Sequence, residues 1–373
     1  MTDLTDSQKH ALHQFRAIPM LRNSERHDFK TCQAKWNWRW NMGLVPAMPR
    51  QDARWFGGLI HQALAEWLMP PKGAKGPKRG FVRGKDPIQT WHELCKDAFV
   101  SMAASQYFSS ELAREWEDAE ALGELMLLGY LNHYGMDDAW EVLNPEQRFR
   151  AKISFSDRQA RAPMEWWTRL GLRQPYIAEM LGTMDVIIRD HTDGHVKCVD
   201  HKTTDRKESG EHLTRDDQAG TYIALGTAFL RKAGLIGEKE AVVGMIYNYL
   251  RKSKPDPRPT NSSGQALNQD GSISKRQPLE LFWREDVRRS NYARLHQLER
   301  IADDAEQMAA IRVGAIGITK NPDLHCAWCD LKELCDVDEN GGDTEQFIKD
   351  VFKVEDPYAD HRDNAPNPKL GES

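Results

Sequence analysis

The chain has 373 residues, 40% hydrophobic and 29% charged, with a formal net charge of −5. That composition fits a water-soluble globular chain of one large domain or two ordinary ones, and no run approaches the roughly 20 apolar residues that a membrane helix needs. The opening Met1-Thr2-Asp3-Leu4-Thr5-Asp6 lacks the basic-then-apolar pattern of a secretory signal, so a cytoplasmic protein with no membrane partner is expected.

The charge is unevenly spread. Residues 336–373 carry eleven acids and four bases, a net of −7, which leaves +2 on everything before them. Two basic clusters stand out there: Lys72, Lys75, Lys78, Arg79, Arg83 and Lys85, and then Arg251, Lys252, Lys254 and Arg258. Basic loops on a near-neutral body suit a phosphate backbone, although each could equally be a solvated loop.

In chain order, residues 7–42 read as a helix followed by an aromatic segment with Trp36, Trp38 and Trp40. Helical spacing over 58–69 stops at Pro70-Pro71. Residues 72–86 are rich in Gly and Lys, and 88–135 are mostly helical, with Leu122, Leu125, Met126 and Gly129 on one stripe. The period then changes. Strands are expected over 141–155, 177–189 and 195–202, with Asp193-Gly194 turning between the last two. A helix over 214–232 and a buried strand over 241–250 would complete a right-handed crossover. Polar residues 253–278 read as a loop or long hairpin, Leu279–Trp283 as a short strand, 285–312 as a charged helix, and the tail beyond 340 as partly disordered. No internal repeat is visible.

The chemistry concentrates on two adjacent strands. Gly182-Thr183-Met184-Asp185 precedes Val199-Asp200-His201-Lys202, and on a strand Asp200 and Lys202 share a face. Asp185 could be a turn carboxylate, and Asp200 and Lys202 an exposed edge. Val186, Ile187, Ile188, Val196 and Val199 argue instead for burial, where charges need partners or a metal. Paired carboxylates beside an ammonium suit phosphodiester hydrolysis assisted by a hard cation. His61 shares a helix side with Leu64 and Ala65, and a lone His there is more often core than ligand. Gln218 and Tyr222 lie four apart on one helix face.

Together these residues resemble the RecB-like branch of the PD-(D/E)XK nucleases. Gly57–His61, Gly182–Asp185, Asp200–Lys202 and Gln218–Tyr222 follow that branch's motifs in order. The resemblance implies an α/β, restriction-endonuclease-like core, a central mixed sheet flanked by helices, with a helical insertion. It implies that Asp185, Asp200 and His61 ligate Mg²⁺ or Mn²⁺, with the His201 carbonyl as a further ligand. Lys202 would orient or help deprotonate the attacking water, and Gln218 and Tyr222 would brace Lys202 or hold a phosphate. His201 stands where the family often has an aromatic or aliphatic residue. Glu146 matches an acid often seen just before the first strand.

Six cysteines remain. Cys95 and Cys198 read as core. Cys326-x-x-Cys329-x5-Cys335 supplies three ligands within ten residues, and clustered cysteines in a cytosolic chain imply metal. Cys32, ahead of Trp36, completes a set that resembles Cas4-like and AddB-like nucleases, with Gln33 where that family often has Pro. The residues alone lean to zinc; the resemblance implies a [4Fe–4S] cluster on Cys32, Cys326, Cys329 and Cys335, joining the two ends of the chain.

The organisation expected is an N-terminal segment (1–56), a helical region with the motif His and the basic loop (57–140), a nuclease core (141–312), a cluster-binding segment (313–340) and a flexible acidic tail (341–373). The function expected is a metal-dependent DNA exonuclease of Cas4-like and RecB-like type, in phage or prokaryotic recombination, repair or CRISPR processing. DNA is its partner, with a helicase, recombinase or Cas-type protein in company, since no Gly-x4-Gly-Lys-Ser/Thr is present. The rival readings are a non-catalytic DNA-binding or assembly factor, a structure-specific DNA or RNA endonuclease, and a zinc-bearing structural protein.

Overall fold

A computed structural model describes residues 18–47, 54–76, 78–104, 109–172, 175–207 and 209–362. The helix expected to begin at residue 7 has its start outside these residues, as does the end of the tail, 363–373. The chain divides into two compact units. One draws on residues 1–51, 148–183 and 290–369, and the other on 52–147, 184–289 and 370–373.

In the first unit, strand β1 (Met20–Arg22) leads into helix α1 (Asn23–Thr31), a short helix α2 (Gln33–Trp36) and a π-helical turn over Asn37–Asn41. Strand β2 (Leu44–Pro46) follows. The interior of this unit is unusually polar. Glu25 and Arg26 on α1 are fully buried. Glu25 accepts hydrogen bonds from Trp36 Nε1 at 3.0 Å, Tyr358 Oη at 2.7 Å and Arg312 Nη2 at 3.2 Å, while Arg26 Nε donates to Asp304 Oδ2 at 2.7 Å. Buried charges held this way are costly to break singly, because removing one partner strands the other. Trp36 and Trp40 are buried, the latter donating to Asp28 Oδ2 at 2.8 Å. Their role is packing, whereas Trp38 is half-buried and Trp328, beside Cys329, is 82% exposed.

The second unit contains helix α3 (Arg54–Leu68), α4 (Pro87–Ala103) and α5 (Ser110–Tyr134). Asp86 caps α4 by accepting from Ile88 N–H, with Pro87 in the first turn, and Ser109 caps α5. The helices bury Ile60, Leu64 and Trp67, Trp91 and Cys95, and Met126, Leu127 and Tyr130 against Val186, Ile188, Val199 and Ile246. Gly123 on α5 lies directly against the Trp91 ring, so closely that a Cβ there would overlap it.

Two long strands, β3 (Trp140–Ser154) and β4 (Tyr176–Asp190), joined through short helices α6 (Asp157–Ala160) and α7 (Met164–Arg169), each contribute to both units. The early part of β4 pairs in parallel with β1, Met20 opposite Glu179. Its later part pairs antiparallel with β5 (His195–Thr204), Val186 opposite Val199. From β5, helix α8 (Asp217–Lys232) crosses to β6 (Val242–Arg251), which lies parallel to β5. Strand β7 (Phe282–Arg288) closes the row antiparallel to β6. The arrangement is an α/β fold with a mixed sheet flanked by helices.

Several expectations are corrected. The strand expected at 279–283 runs instead over Phe282–Arg288, and the helix expected from 285 begins at Asn291 as α9 (Asn291–Arg312). Ser290 sets that start by accepting from Ala293 N–H at 3.1 Å, and the charged residues before it alternate along a strand. The flexible tail expected from 341 is ordered over most of its described length. After α10 (Lys332–Glu339), helix α11 (Thr344–Val351) runs into β8 (Phe352–Val354), which pairs antiparallel with β2. Leu44, Leu331, Leu334 and Phe352 form a small core there, joined by Phe347 and Ile348. The net acidity of the segment hid its apolar face. Glu146 lies inside β3 rather than before it, with φ +48° in the left-handed region.

The basic clusters are only partly free. Arg83 is buried and donates to the carbonyls of Gly80, Asp137 and Trp140. Lys85 pairs with Glu93, and Arg258 is clamped by Asp256. Arg251 is buried with its guanidinium 5.6 Å from the Trp283 ring centre. Lys75, Lys78 and Arg79 remain exposed.

Candidate active site

The register of the second unit's sheet builds the site. Residues opposite one another on adjacent strands share a face. Asp200 is opposite Tyr247, which is opposite Glu285, and Lys202 is opposite Tyr249, which is opposite Trp283. These residues stand on the face that α8 covers. The intervening row, His201, Asn248 and Arg284, points to the other face, toward α5.

The site forms where β4 and β5 part. Their paired register ends at Val186–Val199. One step further, the main chain of β4 no longer meets β5, and the Asp185 side chain takes up the next amide: Asp185 Oδ2 accepts from His201 N at 2.9 Å. His61 reaches the same oxygen from α3, with Nδ1 3.1 Å away. The helix can approach because Gly57, one turn earlier, would place a Cβ only 3.1 Å from Thr203 Oγ1. From α8, Gln218 Nε2 donates to Asp200 Oδ1 at 2.7 Å while its Oε1 accepts from Lys202 Nζ at 3.1 Å. Tyr222 Oη lies 3.5 Å from Gln218 Nε2. Asp185, Asp200, Lys202, His61, His201, Gln218 and Tyr222 therefore meet within one unit.

Lys202 Nζ sits 2.6 Å from Asp200 Oδ2, a charge-assisted ion pair at a buried carboxylate. The two carboxylates are driven apart. Burial pushes Asp185 upward, but the charges of His61, His201 and Lys202 and the His61 hydrogen bond outweigh it and hold it well below the usual range. Burial raises Asp200, and neighbouring Asp185 adds to this against the pull of Lys202. Burial alone would lower Lys202; Asp200 more than compensates, so the side chain is held as an ammonium. His201 is pushed down to about 3, chiefly by burial.

Behind His201 lies a buried polar chain absent from the sequence reading. His201 Nδ1 meets Asn248 Nδ2 at 2.8 Å, Arg284 Nε donates to Asn248 Oδ1 at 3.0 Å, and Arg284 Nη2 donates to Asp137 Oδ1 at 2.7 Å. Tyr130 Oη donates to Asp137 Oδ2 at 2.9 Å. The Arg284 guanidinium also lies over the Tyr134 and Trp140 rings. Period-two spacing in β6 could have flagged Asn248 beside Tyr247 and Tyr249, but Arg284 was concealed by the misplaced strand boundary.

Among the described residues, no three His, Cys, Asp or Glu side chains are gathered tightly enough to enclose a metal ion. The donor chemistry nevertheless fits a hard divalent cation. Mg²⁺ keeps several waters and is commonly held by one or two carboxylates, and here two buried carboxylates lie close enough for the charge of Asp185 to raise Asp200.

Cys32, Cys326, Cys329 and Cys335 lie in the first unit. None of the six forms a disulfide. Cys95 and Cys198, in the second unit, are buried thiols pushed up to about 12 by burial. Cys329 and Cys335 are raised by burial first, and each also responds to the charge of Cys32. Cys326 is linked to Cys329 through a turn, Cys329 N donating to the Cys326 carbonyl at 3.3 Å. Either side of Cys32, the Gln33 side chain accepts from Thr319 N at 3.0 Å and the Thr31 carbonyl accepts from Asn321 Nδ2 at 3.1 Å, which ties this segment to the chain just before Cys326.

No curated protein matches the chain. A crystal structure of a provisionally assigned exonuclease from Eubacterium rectale is similar at 9% identity and TM-score 0.42, over 89% of this chain and 93% of that one. The sequence profile of the PD-(D/E)XK nuclease superfamily matches residues 24–336. With most of its length matched, the chain belongs to the PD-(D/E)XK nuclease superfamily.

Proposed function

We propose that the protein is a metal-dependent DNA exonuclease of the RecB-like and Cas4-like type, serving recombination, repair or CRISPR processing in a prokaryotic or phage-infected cell. The observation that carries this reading is the meeting of Asp185, Asp200 and Lys202 at one end of a sheet, with Gln218 bridging the last two. Asp185 and Asp200 would hold Mg²⁺ or Mn²⁺, with His61 and the His201 carbonyl completing the protein's share. The bound cation supplies a nucleophilic water near neutral pH and neutralises charge on the scissile phosphate.

The chain's own residues do the rest. Lys202, held as an ammonium, places positive charge where the pentacoordinate phosphate develops its negative charge. Lys202 would also orient the attacking water or help to deprotonate it. Gln218 fixes the lysine by accepting from Nζ while donating to Asp200, and Tyr222 limits the rotation of Gln218. The His201–Asn248–Arg284–Asp137 chain holds the β5 backbone from behind. In the first unit, Cys32, Cys326, Cys329 and Cys335 would bind a [4Fe–4S] cluster, or a structural Zn²⁺, fixing residues near both ends of the unit.

The test is degradation of end-labelled linear single- and double-stranded DNA by anaerobically purified protein with Mn²⁺, Mg²⁺ or EDTA, beside Asp200→Ala. Metal-dependent loss of label, absent from the variant, is expected. DNA binding without cleavage under any metal would replace this reading with that of an assembly factor.

A further inference from the structure

A cavity of about 290 Å³ opens beside Lys202 and Gln218, lined among others by Arg206, Tyr247, Tyr249, Trp283 and Glu285. It sits at the lower edge of the range of small-ligand sites, about 300 Å³ upward. Its lining follows from the sheet register that builds the active site. Tyr249 and Trp283 stack with ring centres 4.9 Å apart at 10°, and Tyr247 lies beside Tyr249 at 6.1 Å. Lys202 Nζ is 5.8 Å from the Tyr247 ring centre, and Lys207 is 5.4 Å from that of Trp283. Tyr247 is anchored by donating to Asp216, the residue that caps α8. Tyr247 and Trp283 are themselves buried and back the half-buried Tyr249, which offers the cavity its aromatic surface. Arg206 is exposed at the cavity and forms no ion pair among the described residues.

We infer that this cavity receives an unpaired nucleobase of the strand being cut, from the nucleotide adjoining the scissile phosphate. A phosphate at Lys202 brings its own nucleotide to the aromatic lining, where stacking on rings suits any base. The Arg206 guanidinium is placed for the neighbouring phosphate, and the Glu285 carboxylate for an amino or imino N–H on the base edge. A base lodged here has left its Watson–Crick partner. The substrate strand is therefore single-stranded, or frayed, where it is cut.

This rests on the nuclease reading, so the test separates the two. Affinity for single-stranded oligonucleotides is measured in EDTA, with one abasic residue stepped along the strand, and cleavage of the same strands is measured with Mn²⁺. One abasic position is expected to weaken binding about tenfold, within the range of stacking on one aromatic platform, and to slow cleavage at the adjoining bond. Tyr249→Leu should bind intact strands as weakly as the wild type binds that abasic strand, with no further penalty. Tyr249→Phe, which keeps the ring, should restore the abasic penalty that Tyr249→Leu loses, and the thermal midpoints of the two variants control for folding. Cleavage with no position-specific abasic penalty overturns the base pocket and leaves the nuclease standing. A penalty in binding without any cleavage keeps the pocket and removes the nuclease; an absence of DNA binding removes both.

Discussion

The candidate active site and the cysteine region solve the same problem by different means. In the second unit, strand register places the reactive groups: Asp200 and Lys202 share a face because they are two apart, and Tyr247 and Tyr249 extend the same rows. Helices α3 and α8 then add His61 and Gln218 from two sides. In the first unit, residues 294 positions apart, Cys32 and Cys326, lie on short helices and turns with little regular pairing around them. Their surroundings are held by buried ion pairs, such as Arg26 with Asp304. A site built on register needs no ligand to exist, whereas the metal proposed at the cysteines would itself draw their segments together.

That difference can be broken or sharpened by mutation. The largest effect on stability is expected for Cys329→Ala. If metal binding contributes folding free energy, on the order of 10 kcal/mol for structural sites, the variant loses its bound metal and its melting midpoint falls far below wild type. A normally stable, colourless and active Cys329→Ala protein would sink the cysteine proposal. Lys202→Ala is expected to do the opposite. It should lower cleavage by roughly 10³-fold, at the upper end for loss of one charge-stabilising donor, with metal content at the cysteines and thermal midpoint unchanged. Full activity in this variant removes the site assignment.

A smaller effect distinguishes packing from chemistry within the second unit. Arg284→Ala strands the nearly buried Asp137 carboxylate and should cost about 3 kcal/mol by denaturant titration, while Asp137→Asn with Arg284→Met together should recover part of it. A loss in the double variant equal to the sum of the two single-variant losses would show that the pair does not act as a unit. Least severe is Gly123→Ala, where the new methyl meets the Trp91 ring. About 2 kcal/mol of overpacking cost is expected, read as a lower midpoint with cleavage per folded molecule unaltered.

Much of the site was legible because its logic is local. Asp200-x-Lys202 on a strand and Gln218-x3-Tyr222 on a helix carry their own geometry, and the Gly57 to His61 spacing places the histidine one turn after a close approach to β5. The core assignment of Cys95 and Cys198 follows from their apolar neighbours in the same way. Less legible was anything that depends on a boundary or on averaging. Strand β7 was expected to end at Trp283 and runs on to Arg288, which hid Arg284 and Glu285 from the rows they complete. The tail's net charge masked Phe347, Ile348 and Phe352, whose apolar faces build a small core with Leu44.

The sequence by itself determined the reactive residue types, their pairing within each element and the alternation that puts them on one face, because side-chain direction follows from backbone period. Only the tertiary structure decided that β4 and β5 part after Val186 and Val199, freeing Asp185 to bind an amide, and that Tyr249 and Trp283 stack beside Lys202. Those outcomes depend on which strands become neighbours and where their pairing stops, which is a property of the whole sheet and not of any one segment.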